Sequence, residues 1–210
     1  MKQSRLAICT YSLILLFACG IARAQNSDLK LYRRGLDYDR LQQATGLPWD
    51  KFRIAQTQSF RATLGKANYF LVSGTIYEPD PYFSGHGYPG GHGWCEFDFF
   101  DQNYRYVNGI RVNIQDHSDT NVCNWIEGVS AVTYKGRPAL LTTVQYHRGI
   151  DPAKTLDEIG NNYHRFTALL LLTPHPDGSL SIREDDSCLG SGNQIGELAI
   201  ARKRIAECSQ

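Results

Sequence analysis

The sequence predicts an α+β, mainly β fold: an antiparallel sheet or sandwich of successive hairpins with a short N-terminal helix and a C-terminal helix. Three observations lead there. β-branched and aromatic residues alternate with polar ones from Phe52 onward. Turn signals break that alternation at short intervals. Helical spacing of apolar residues is confined to a few segments, chiefly near the two ends of the chain.

Leu36, Leu41 and Leu47, interleaved with Asp37, Asp39 and Arg40, suggest a helix over 37–45 that Gly46 and Pro48 stop. Strands follow over 60–64 and 69–77, with the turn residues Gly65-Lys-Ala-Asn68 between them. Strands over 95–100 and 104–107 flank Asp101-Gln-Asn103, and strands over 128–134 and 139–146 flank Lys135-Gly-Arg-Pro138. A last pair over 165–173 and 180–183 flanks Pro174-His-Pro-Asp-Gly-Ser179, where Asp177-Gly178 is a strong hairpin signal. Asp151-Pro152 opens a further helix over 151–159, with a capping aspartate and a proline at the first helical position. Ile195, Leu198, Ala199, Arg202 and Ile205 recur at helical spacing up to Cys208.

Before all of these stand Lys2 and Arg5, an apolar run from Leu6 to Ile21, and Ala22-Arg23-Ala24. A basic start, a hydrophobic stretch and small residues around one position predict a secretory signal peptide over 1–24, leaving one disulfide-bonded domain over 25–210. The run is shorter than the ~20 residues that span a bilayer, and no other stretch is long and apolar enough to cross. Leu16-Phe17-Ala18-Cys19 resembles a bacterial lipobox. Phe17 is bulky where such motifs carry a small or β-branched residue, so lipid attachment at Cys19 is not expected. The expected location is periplasmic or extracellular.

Without the leader, 19 basic residues face 21 acidic ones, which offers no clustered cationic footprint for nucleic acid. Cys9 and Cys19 leave with the leader, and Cys95, Cys123, Cys188 and Cys208 remain. An even number in an exported chain predicts two disulfides with three possible pairings. Cys95 with Cys123 and Cys188 with Cys208 are preferred because each pair closes a loop of moderate length. No Cys-x-x-Cys spacing occurs to suggest free thiols for metal or catalysis.

Residues 78–93, EPDPYFSGHGYPGGHG, carry neither a strand nor a helix pattern. Connections this long inside a compact domain are often binding loops. Tyr82, Phe83, His86, Tyr88, His92 and Trp94 would form the partner-binding surface, with aromatics as flat amphipathic anchors and glycines allowing close approach. The competing reading is a self-packed loop whose rings fold back on the sheet. His86 and His92 could instead share a metal, and a Cys95–Cys123 bridge would bring His117 near them as a third ligand. The metal of that alternative would be Zn²⁺ or Cu²⁺; His92-Gly93-Trp94 is similar to the glycine-rich repeats of the prion protein, in which a histidine and following glycine amides hold copper.

Asp116-His117-Ser118-Asp119 reads as a turn, since contiguous residues do not assemble a triad. His147, His164 and His175 receive no role. Asp185-Asp186 is a pair of acids that needs a cleft or a raised pKa before it suggests hydrolysis. Neither Gly-x-Ser-x-Gly, His-Glu-x-x-His nor a phosphate-binding glycine loop occurs. The expectation is therefore an inhibitor or immunity-type binding protein with no cofactor. Its partner would be another protein, such as a toxin or a cell-wall enzyme, in preference to a carbohydrate. A periplasmic metal-binding protein and an unrecognised hydrolase are the alternatives.

Overall fold

The structure, a computed structural model, describes residues 28–79, 91–114, 122–147, 163–190 and 192–209. Along them run β1 (Leu29–Tyr32), α1 (Tyr38–Thr45), β2 (Phe52–Ile54), β3 (Phe60–Leu64), β4 (Ala67–Pro79) and β5 (Gly91–Phe100). These are followed by β6 (Tyr106–Arg111), β7 (Val122–Tyr134), β8 (Arg137–His147), β9 (Tyr163–Pro174), β10 (Leu180–Glu184) and α2 (Leu198–Cys208). Two antiparallel sheets result. One has the order β1-β3-β4-β5-β6, with β2 pairing β4 beyond the end of β3; the other has the order β10-β9-β8-β7.

The period of two along each strand decides how the sheets stack. Leu71, Phe97 and Phe99 of the first sheet meet Leu140, Val144, Phe166, Leu170 and Leu172 of the second in one buried inter-sheet cluster. Their sequence neighbours point the other way and are buried too. Phe70, Val72 and Phe100 pack under Leu41 of α1 and Phe52 and Ile54 of β2. Leu141, Leu169 and Leu171 pack under Ala201 and Ile205 of α2. Each sheet is thus covered on both faces for part of its area. This explains why Ala168-Leu-Leu-Leu-Leu172 is a continuous apolar run where a half-solvated strand would alternate.

Local chemistry sets the ends of the elements. The Asp37 carboxylate accepts the Arg40 N–H at 3.1 Å and caps α1. Between β7 and β8 the chain turns on Lys135 and Gly136, at φ 48° and 72°, the pair of positive values that a two-residue hairpin needs to match strand twist.

Several boundaries differ from those read in the sequence. The strand expected from Tyr104 begins at Tyr106. Tyr104 stands at φ 64° in a turn where the Asp101 carboxylate accepts N–H bonds from Asn103 and Arg105 at 2.7 and 2.9 Å. The connection expected over 78–93 is shorter, because Tyr77, Glu78 and Pro79 pair with Gly93, His92 and Gly91. Glycines argue against a strand locally, but here tertiary packing needs one: a Cβ on Gly93 would lie 2.8 Å from Val122 Cγ1 and 3.0 Å from the Cys123 carbonyl. β1 and β2 are too short to stand out in the sequence. The helix expected over 151–159 and the leader over 1–24 lie outside the described residues.

Both preferred cysteine pairs stand at disulfide distance. Cys95 and Cys123 join the two sheets with Cα atoms 5.4 Å apart, and Cys188 and Cys208 tie the end of α2 to the segment after β10 at 5.9 Å. Replacing Cys188 and Cys208 by serine should lower unfolding stability by about 3 kcal/mol. Amide exchange should rise first in α2, whose last turn has lost its anchor. Urea titration and exchange mass spectrometry check the two effects.

Candidate functional site

The hairpins sort the connections into two groups. β3–β4, β5–β6, β7–β8 and β9–β10 are joined by turns at one end of their strands. The connections 80–90, 115–121 and 148–162 all leave from the opposite ends. Because Cys95 lies near the start of β5 and Cys123 near the start of β7, their bridge fixes those opposite ends of the two sheets beside each other. Longer connections gathered on a rigid scaffold are where binding residues concentrate.

At that end α2 no longer covers the second sheet. Registers Trp125↔Gln145, Gln145↔Arg165 and His147↔Tyr163 place these five side chains on the outer face of β7, β8 and β9. Trp125 is 47% exposed and Tyr163 is 43% exposed, both large rings in water on a sheet face that is sealed a few residues further on. Around them lie polar pairs: Asn124 Nδ2 donates to Gln145 Oε1 at 2.7 Å, and Arg165 Nε donates to Glu127 at 2.7 Å. The His147 ring lies 4.1 Å from the Tyr163 ring, and burial lowers its pKa, so it stays neutral at physiological pH.

A second polar strip runs down the outer face of the first sheet. The Arg111 guanidinium lies 4.7 Å over the half-buried Trp94 ring, and its Nε reaches Glu96 Oε2 at 3.3 Å. Next along β5 comes Asp98, only 6% exposed. It lies against Gly109, where a Cβ would collide with Asp98 Oδ1, so the glycine opposite makes room for the carboxyl group. Burial, then the charge of Glu96 and a hydrogen bond with it, push the Asp98 pKa up to about 8 against the pull of Arg111. Asp98 Oδ1 is buried without a donor, and a proton held between Asp98 and Glu96 spares the site two adjacent negative charges.

A similar pair ends β10. Glu184 Oε2 accepts the Asn113 N–H at 2.9 Å, while Glu184 Oε1 and Asp186 Oδ1 are buried without a donor. Burial raises Glu184 to about 8 and Asp186 to about 6. The proton therefore resides on Glu184, which donates to the Asp186 carboxylate. The adjacent Asp185-Asp186 motif in the sequence hides the real partnership: Asp185 faces Arg183 at 3.0 Å and accepts the Ser187 hydroxyl at 2.6 Å. Alternation along the strand end would have favoured Glu184 with Asp186.

Of the residues assigned from the sequence, Trp94 lies in the strip just described. Tyr82, Phe83, His86, Tyr88 and His117 lie outside the described residues, as does the side chain of His92, whose backbone pairs with Glu78 in β5. Among the described residues no three His, Cys, Asp or Glu side chains gather for a metal ion, and no helix is long and apolar enough to cross a membrane. Trp125, Tyr163 and Arg165 were not singled out in the sequence; their signal is an exposed tryptophan beside an inward cysteine, legible only with the register. Comparisons with protein-family models, curated proteins and solved structures find no match to this chain.

The raised pKa of Asp98 has a definite sign in stability. Between its usual value of 3.8 and about 8 the folded protein holds a proton that the unfolded chain has released, so stability falls as pH rises through that window. Asp98→Asn keeps the shape of the protonated acid and should flatten the fall. Melting temperatures of the two proteins should converge near pH 4 and diverge in favour of the asparagine variant toward pH 8, which a thermal scan at several pH values checks.

Proposed function

We propose that this is an exported binding protein of the inhibitor or immunity type, which holds another protein at the end of the sandwich carrying the long connections. The supporting observation is the uncovered patch on β7, β8 and β9. Trp125 and Tyr163 stand exposed at its centre, and Arg165 with Glu127 and Asn124 with Gln145 form a polar surround. Exposed aromatic anchors ringed by paired polar groups have the composition of a protein interface. The connection 80–90, with Tyr82, Phe83, His86 and Tyr88, leaves from strands at that same end and would extend the contact beyond Trp94. The cross-sheet bridge holds the base of that connection, which limits the entropy lost on docking.

The test compares three tagged baits in cross-linked capture from periplasmic extract. Wild type and Trp49→Ala, which removes an exposed ring on the α1–β2 connection, should retain one shared partner. Trp125→Ala with Tyr163→Ala should lose it, since each anchor contributes about 2 kcal/mol or more at such a surface. Equal capture by all three baits would remove the patch from the proposal.

The Cys95–Cys123 bridge also supports a second reading, a periplasmic metal-binding protein using His86, His92 and His117. The bridge tethers the starts of β5, which contains His92, and β7; the connections bearing His86 and His117 end at those starts. Elemental analysis after equilibration with Cu²⁺ or Zn²⁺ should then find about one ion per chain, lost in a His86→Ala, His92→Ala variant. Protein free of metal after that treatment excludes it.

A further inference from the structure

A cavity of about 360 Å³ opens at the other end of the molecule, where the tight turns lie. It is lined by Tyr32, Arg34, Arg61, Ala62, Thr63, Asn68, Tyr69 and Gln102. Registers Tyr32↔Arg61, Arg61↔Phe70 and Thr63↔Asn68 place Tyr32, Arg61, Thr63 and Asn68 on the outer face of the first sheet, the face that Phe70 shares with α1. The lining contains two guanidinium groups, two amides and hydroxyls, and no carboxylate.

The donors in this cavity are spare. Two nearby arginines are occupied by rings: Arg33, just after β1, lies over Phe60 at 5.7 Å, and Arg40 of α1 lies over Tyr104 at 4.1 Å. Arg34 and Arg61 form neither an ion pair nor a ring contact among the described residues. The Asn68 amide is oriented by the Thr63 hydroxyl, which donates to its Oδ1 at 2.8 Å. That bond leaves the two N–H groups of Asn68 as donors. Gly35 lies against the Arg61 side chain, within 3.5 Å of Nη1 at its Cβ position, so the 34–35 corner packs beside one guanidinium while presenting the other.

We propose that this cavity binds a small anion, a carboxylate or a phosphate, held by Arg34 and Arg61 with Asn68 as the neutral donor. Two like charges lining one cavity repel, and an anion between them converts that repulsion into charge-assisted hydrogen bonds. The planar forks of arginine match the paired oxygens of either oxyanion. The volume lies in the range of small-molecule sites and exceeds that of a bare ion, so the ligand carries a body that can lie on the exposed Tyr32 ring. This site stands apart from the proposed protein contact, which occupies the opposite end, and neither depends on the other.

The test is a titration of the full chain, followed by NMR of the Asn68 side-chain amide and the Arg61 Nε–H, at fixed ionic strength. One arm uses inorganic phosphate and the other benzoate. Saturable shifts of both signals in at least one arm are expected, with a dissociation constant of roughly a millimolar. Phosphate saturating alone marks a phosphorylated ligand, and benzoate saturating alone marks an aromatic acid. The double variant Arg34→Gln, Arg61→Gln should weaken binding about tenfold or more, whereas Arg53→Gln, a cation placed over Tyr77 on the same sheet, should leave it unchanged. Linear, unsaturated shifts in both arms, or equal binding by wild type and the double variant, would overturn the proposal.

Discussion

The interlocking of side chains from two sheets across one gap is the constraint on which the rest of this structure depends. Phe97, Phe99, Phe166 and Leu140 are each no more than 1% exposed there, and the Cys95–Cys123 pair crosses the same gap. Once alternate residues are committed inward, their neighbours are committed outward and need cover of their own. α1 with β2 supplies it on one side and α2 on the other. Neither helix is long enough to cover a whole sheet. What lies beyond their reach must therefore be polar, aromatic or paired, and there the molecule carries its unusual chemistry.

How much of this was legible in the sequence depended on whether the cause was local. Asp177-Gly178 and Lys135-Gly136 mark their hairpins because turn geometry is set within four residues. The cysteine pairing follows from loop lengths, and both pairs stand at disulfide distance. By contrast, Gly91, His92 and Gly93 read as loop because their strand character comes from β4 beside them and Val122 beneath them. β1, four residues long, exists because β3 offers it an edge. Nothing within a few residues of Arg34 announces a cavity, since its walls come from β1, β3, β4 and the β5–β6 turn. Likewise the acid pair at Glu184 draws its main-chain donor from Asn113, far away in the chain.

The two acid pairs bear on the choice between binding and catalysis. A general acid must reach the atom it protonates. Asp98 is nearly inaccessible against Gly109, and its hydrogen-bond partner is the neighbouring acid Glu96. Glu184 is held from the opposite side by the Asn113 N–H, and its free oxygen turns to Asp186. Neither pair lines the cavity among Arg34, Arg61 and Asn68. Their raised pKa values arise from burial first, as for acids that satisfy one another inside a fold.

The side chains with valence to spare are of a different kind. Trp125 and Tyr163 present exposed apolar area, and Arg34, Arg61 and Asn68 present donors around one cavity. Rings and fixed cations recognise; they neither accept nor release protons near neutral pH, and so they suit holding better than reacting. The architecture separates the two proposed contacts. At one end, beside the tight turns, lies a cavity of a size that suits a small ligand. At the other end, longer connections rise from a base fixed by a cross-sheet bridge, which suits a wide contact with another chain. A sandwich of antiparallel hairpins produces this asymmetry whenever its short turns all fall on one side, because the remaining connections have nowhere to go except the other.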